Sequence, residues 1–300
     1  MLISTTTASW RDRSDGSYIP IIQSIAKIAA AGFDAVDLNF CHAIKLHIHR
    51  DGIEINADDW ESWQHRVEEA LNSNNIRANQ SHAPYYNVLD YTLSDIPFRE
   101  EMVRRSIIVS GNLGVKWVVI HAGTAPDSSS AKVSLAKNIE YFKPHLELAA
   151  KHGTGIAIEN LFDFSSDDKS RGARRYTGGI DELFELVDAL AAQFPNVGIC
   201  WDFGHANEMA LKHADALRLA GKRLKALHVN DNNGVLDDHS LPFTGAVKWP
   251  ELMKTLHEIG YEGDFTYEIH KYSQHMPDEI IDDALRLSAK LARYLVSLAA

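Results

Sequence analysis

Short β-rich runs alternate with longer amphipathic ones from one end of this chain to the other, and that alternation limits the fold more than any other feature. The strand candidates are residues 2–8, 34–40, 77–83, 117–123, 155–161, 197–203, 224–230 and 264–270. Helical patterns fall at 18–31, 59–74, 99–113, 131–152, 180–193, 206–220, 249–259 and 279–300. Eight β–α pairs with no Pro/Gly/Ser linker between them predict one α/β domain over residues 1–300, a closed (β/α)8 TIM barrel. A doubly wound open sheet is the competing architecture, but the first β–α turn lacks a glycine-rich phosphate fingerprint. Gly32, Gly114, Gly153 and Gly260 each follow a helical pattern, where a left-handed cap favours glycine.

Composition narrows the class of partner. A net charge of −11 over 300 residues disfavours a chain held to nucleic acid or an anionic membrane mainly by charge. Two cysteines, Cys41 and Cys200, form no CxxC pair and are too few for a disulfide framework. The first ten residues lack a basic segment followed by an apolar one, and no run approaches the ~18 apolar residues of a membrane span. The expectation is a cytoplasmic protein acting on a small molecule, with a homo-oligomer left open.

Six of the eight predicted strands finish on a potential metal ligand: His82 in SHAP, His121 in VVIHAG, Glu159 in IAIEN, Asp202 and His205 in ICWDFGH, His228 in LHVND and Glu268 in TYEIH. The loop after the seventh strand adds Asp237 and His239. In a barrel these positions converge on the C-terminal mouth, where such folds place their chemistry. Side chains alternate along a strand, so inward-facing ligands put Gln80, Val119, Ala157, Cys200, Ala226 and Thr266 inward beneath them. The opposite parity would bury Glu159, Asp202 and Glu268 unpaired in an apolar helix layer, which is costly. Carboxylate oxygens and imidazole nitrogens without thiolate suit Mn, Zn, Co or Mg. A GxSxG nucleophile elbow is absent.

The ordered set His82, His121, Glu159, Asp202-x-x-His205, His228, Asp237-x-His239 and Glu268 resembles the xylose-isomerase-like TIM-barrel superfamily. That group includes sugar isomerases and epimerases, inosose dehydratase-like proteins and the endonuclease IV family. The resemblance runs from HAPY through FTGAVKW to GDFTYEIH and implies a barrel and a divalent metal. In its sugar epimerase branch the positions matching Glu159, Asp202, His228 and Glu268 hold the metal, and the one matching His205 touches a substrate oxygen. In its endonuclease IV branch all nine positions hold three zinc ions. The resemblance therefore implies a divalent-metal-dependent isomerase, epimerase or dehydratase of a sugar, working through a metal-stabilised enediolate with Glu159 and Glu268 as the proton-transfer pair. His82, His121, His205, Asp237 and His239 would bind substrate or additional metal. An apurinic endonuclease and a non-catalytic sugar-binding relative are the alternatives. The acidic charge, the segment HSLPFTGAVKWPEL and the departure from the repair pattern after Tyr85 favour small sugars; Arg11, Arg13, Lys45 and Arg50, on the first two strand-end loops, favour DNA. The ketohexose 3-epimerase pattern is incomplete, because its gripping arginine is Gly234 here and its second strand-five-loop glutamate is Ser165.

Other residues carry weaker signals. His42, His47 and His49 read as solvated loop histidines. Arg171, Arg174 and Arg175 can close over a phosphate or carboxylate, or cover the surface. Trp10 and Trp249 suit either a sugar face or packing. Asp237 and His239 also fit a polar loop capping the next helix.

Overall fold

The computed structural model describes residues 1–10, 17–44, 54–126, 131–163 and 174–299. Eight parallel strands follow one another in chain order: β1 Ile3–Thr6, β2 Ala35–Asn39, β3 Arg77–His82, β4 Trp117–Ile120, β5 Gly155–Glu159, β6 Val197–Asp202, β7 Leu224–His228 and β8 Phe265–Tyr267. β1 pairs with both β2 and β8. Between β7 and β8, the Val229 N–H donates to the Thr266 carbonyl at 2.8 Å and the Glu268 N–H donates to the Val229 carbonyl at 3.1 Å. This bridge nearly closes the sheet, making a (β/α)8 barrel and not an open doubly wound sheet. It also sets Glu268 beside the end of β7.

The described helices are α1 Ile21–Ala30, α2 Trp60–Ser73, α3 Ile96–Asn112, α4 Ala131–Lys151, α5 Ile180–Ala191, α6 Phe203–Glu208, α7 His213–Ala220, α8 Trp249–Glu258 and α9 Asp278–Ser297. Their apolar faces follow helical spacing, as in Ile281, Leu285, Ala289 and Ala292 of α9, all buried. None is long and apolar enough to cross a membrane among the described residues. The four expected helix-ending glycines have φ of 94°, 75°, 72° and 64° at Gly32, Gly114, Gly153 and Gly260.

One expected helix, 206–220, is two. Asp202 ends β6 and its carboxylate accepts the His205 N–H at 2.7 Å, so α6 starts directly on the strand end. Ala210 then turns into the left-handed region at φ 50° and stops it, before α7 begins at His213.

The barrel interior has the expected parity. Val119, Ala157, Cys200 and Ala226 form a buried cluster of their own. Ile158, Trp201, Leu227 and Tyr267 belong to the large core between strands and helices. Small inward residues leave the centre of the barrel open to the longer side chains above them. Gln80 spans that interior, donating to the Leu227 carbonyl at 3.3 Å. Trp10 and Trp249 are fully buried packing residues; the Trp249 indole N–H donates to Asp231 Oδ2 at 2.8 Å.

His213 sits behind the site, its ring stacked on Phe203 at 6.0 Å and edge-on to Trp201. Burial alone pulls it down to about 4 from 6.5. The folded state therefore keeps it neutral, whereas the unfolded chain takes up a proton below pH 6.5. Stability is full above that value and falls as the pH drops toward 4. His213→Phe keeps the ring and removes the titration. It is expected to recover about 2 kcal/mol of the stability that the parent loses between pH 7 and pH 4.5, measured by urea unfolding. Equal losses in both proteins would refute this.

Candidate active site

Glu159, the last residue of β5, is the centre around which the mouth is built. Its Oε2 lies 2.7 Å from His121 Nε2 and 3.4 Å from His82 Nε2; its Oε1 lies 2.9 Å from His228 Nδ1 and 3.4 Å from His205 Nδ1. Glu268 Oε2 approaches the same His228 nitrogen at 3.4 Å. The His82 and His228 rings stack, with centroids 5.3 Å apart and planes within 6°. The ligand atoms of Glu159, Asp202, His228 and Glu268 all lie within 4.8 Å of one another, and all four residues are buried. Convergence from β5, β6, β7 and β8 follows from the strand-end rule: each residue is the last of its strand or the next one on.

A fixed frame holds these groups. Asp202 uses both oxygens, Oδ1 for the His205 N–H and Oδ2 for the Asn230 amide at 2.7 Å. Asn160 ties β5 to β6, accepting the Asp202 N–H at 2.7 Å and donating to its carbonyl at 2.9 Å. His205 Nδ1 lies 2.9 Å from the Asn160 carbonyl, so its Nε2 is turned toward the cavity.

Asp237 and His239 belong to this mouth and do not cap a helix. His239 Nε2 lies 2.8 Å from Asp237 Oδ2, and its Nδ1 lies 2.8 Å from the Glu268 carbonyl. His205 Nε2 lies 3.8 Å from Asp237 Oδ1. These three form a second group whose ligand atoms fall within 4.8 Å of one another, and His239, Glu268 and His270 form another. His239 takes φ 42°, a left-handed conformation that costs a non-glycine residue about 1 kcal/mol.

The loop bearing them is organised by Asp231. One oxygen accepts the Asn232 and Val247 N–H groups at 2.9 and 3.1 Å, the other the Phe243 N–H and the Trp249 indole. A Cβ on Gly245 would strike the Asn232 carbonyl and the Asp231 carboxylate, so the FTGAVKW segment needs glycine there.

Electrostatics shows why a cation fits. Burial raises Glu159, but His228 and His121 outweigh it and hold the carboxyl well below its usual range. Burial and the neighbouring Glu159 charge push both Asp202 and Glu268 well above theirs. Burial drops His121 to about 3 and His205 to about 4, so both keep nitrogen lone pairs at neutral pH. Burial opposes charge on His82, yet Cys41, at 3.4 Å, and Glu159 raise it well above 6.5. Carboxylates that disfavour one another's charge, beside neutral imidazoles, are a donor set that a divalent cation would satisfy.

A cavity of about 1130 Å³ opens above these groups. Its wall includes residues that the sequence pattern did not single out: Asn39, Phe162, Glu208 and His270. Burial and the Asp237 charge push Glu208 up to about 8. His42, expected to be solvated, is buried against the cavity because Cys41–Ile44 folds into a short 3-10 turn directly after β2. His47, His49, Arg11, Arg13, Lys45, Arg50, Ser165 and Arg171 lie outside the described residues. Arg174 and Arg175 part company: Arg174 is exposed and paired with Glu182, whereas Arg175 is buried on the cavity wall.

Comparison with known proteins places this architecture. An uncharacterised protein of Methanocaldococcus jannaschii is 28% identical over 220 residues, covering 71% of this chain and 69% of its own. Fructoselysine 3-epimerase of Shigella flexneri is 25% identical over 247 residues, covering 74% and 84%. A probable endonuclease 4 of Streptomyces avermitilis is 28% identical over 173 residues, about half of each chain at 53% and 52%. Among solved structures, a D-tagatose 3-epimerase-like protein superposes with a TM-score of 0.72 at 23% identity, over 100% of this chain and 98% of that one. The xylose isomerase-like TIM barrel family matches residues 25–291. The chain belongs to the xylose isomerase-like TIM barrel family.

Proposed function

We propose that the protein is a divalent-metal-dependent sugar isomerase or epimerase whose proton-transfer groups are Glu159 and Glu268. The observation carrying this reading is the buried convergence of Glu159, Asp202, His228 and Glu268, with Glu159 and Glu268 lining the cavity. Sugar epimerases among its relatives support it. These four residues would hold the ion, which when bound supplies Lewis-acid stabilisation of the negative charge that develops as an α-proton leaves a hydroxy-ketone. Asp202 and His228 orient the site. Glu159 and Glu268 approach His228 from β5 and from the end of β8, so a sugar carbon held between them meets a carboxylate on each side. One removes the proton, the other returns it, and the stereocentre inverts or the carbonyl moves. Tyr85 and Phe162 line the cavity beside His121 and His205.

A second reading, an endonuclease with several zinc ions, has its own observation. His205, Asp237 and His239 make a separate ligand group, and His82 and His121 both reach Glu159. The acidic charge of the chain weighs against a DNA backbone as the ligand. Elemental analysis, followed by a ketose panel read by proton NMR in D2O, decides between them. One ion per chain with exchange of a ketose α-proton is the expected result. Three zinc ions with cleavage of abasic duplex DNA would overturn it.

A further inference from the structure

Arg175 is 9% exposed although it lies at the mouth of a wide cavity. Its guanidinium is held between two aromatic faces, 5.2 Å from the Tyr85 ring centroid and 4.8 Å from that of Phe162. It donates to the Tyr85 hydroxyl oxygen, and its backbone N–H donates to Asp163 Oδ1 at 2.8 Å. Each ring in turn packs on a histidine of the site, Tyr85 on His121 at 4.7 Å and Phe162 on His205 at 4.7 Å. The guanidinium therefore stands one aromatic ring beyond the ligand cluster, packed against both rings.

We propose that Arg175 is an anion subsite, and that the substrate carries a phosphate or carboxylate group on the end pointing away from Glu159 and Glu268. The aromatic clamp leaves little side-chain entropy to lose, and a planar fork of N–H donors matches the oxygens of either group. The arrangement of the wall explains why the anion belongs here. The Tyr85–His121 and Phe162–His205 ring pairs separate Arg175 from Glu159 and Glu268, so a substrate whose reacting carbons meet the glutamates carries its far end to Arg175. Tyr85 and Phe162 line the cavity between the tail and the reacting carbons.

The inference deepens the sugar reading and rests on it. The test is isothermal titration of the metal-loaded protein with D-fructose, D-fructose 6-phosphate and D-fructuronate. At least one acidic ketose is expected to bind about tenfold or more tightly than the neutral one, and the tighter of the two identifies the anion. Arg175→Gln brings that ratio near one, Arg175→Lys restores part of it, and Arg174→Gln, whose partner is Glu182, leaves it intact. Sulfate gives a readout independent of any sugar, with binding expected to weaken about tenfold in Arg175→Gln. If no ketose binds but sulfate binding depends on Arg175, the subsite stands and the sugar reading fails. If the acidic preference and sulfate binding survive Arg175→Gln, or neither occurs in the parent, the subsite is refuted.

Discussion

Replacing Glu159 by glutamine is expected to lower turnover by about 10²- to 10⁴-fold, the range carried by a positioned acid or base. The effect should exceed that of any other single change because Glu159 has several duties at once. Its two oxygens approach His82, His121, His205 and His228. It is also the carboxyl that its neighbours hold in the charged form, while Asp202 and Glu268 are pushed the other way. Glutamine keeps the shape and loses the charge and the basicity. Metal affinity is expected to fall with it, by about 100-fold or more, since even outer-shell partners of a metal are worth 10- to 100-fold. Glu268→Gln should lose turnover with a smaller loss of affinity, because it contacts His228 at 3.4 Å and shares fewer histidines. Turnover retained by both variants, each with its metal bound, would remove the proton-transfer assignment.

Metal removal is the second large effect, and it is read without a substrate. Stripping the protein with a chelator leaves Asp202 and Glu268 buried beside Glu159, each disfavouring the others' charge. Restoring Mn²⁺ or Zn²⁺ at about a thousand times its dissociation constant adds about 4 kcal/mol to the folded state. For a chain of this size that corresponds to a rise in Tm of roughly 5–10 °C. Asp202→Asn resembles the protonated carboxyl that the stripped site favours. It should therefore melt near the stripped parent and respond weakly to added metal. Because the ligands must shed protons to bind, the metal-induced rise should shrink as pH falls. A parent whose Tm ignores both ions would rule out a metal site at this floor.

The barrel and its floor were legible because both follow from rules local in sequence. Alternation of strand and helix sets the barrel, and strand-end residues must share one mouth, so His82, Glu159, Asp202, His228 and Glu268 meet there. Period-two alternation also anticipated the inward cluster of Val119, Ala157, Cys200 and Ala226. The walls of the cavity were less legible, since loop geometry depends on contacts far apart in the chain. Arg174 and Arg175 are adjacent and chemically identical, yet the first is exposed and pairs with Glu182 while the second is buried and bonds to Tyr85, ninety residues away. His42 reads as one of three loop histidines until the turn after β2 buries it. Glu208 was absorbed into a helix expected at 206–220, because nothing in ANEMAL announces the left-handed turn at Ala210. The double hydrogen bonding of Asp202 did carry a signal, the Asp three residues before His205 in a DxxH pattern, which also reads as a helix cap.

The four hydrogen bonds gathered by Asp231 bear on how such barrels exchange parts. Asp237 and His239 ride on a loop whose base is shaped by Asp231, Gly245 and Trp249. Transplanting the tip alone into a related barrel would carry the imidazole and the carboxylate without the scaffold that aims them. The smallest portable cassette is therefore the whole span from Asp231 to Trp249.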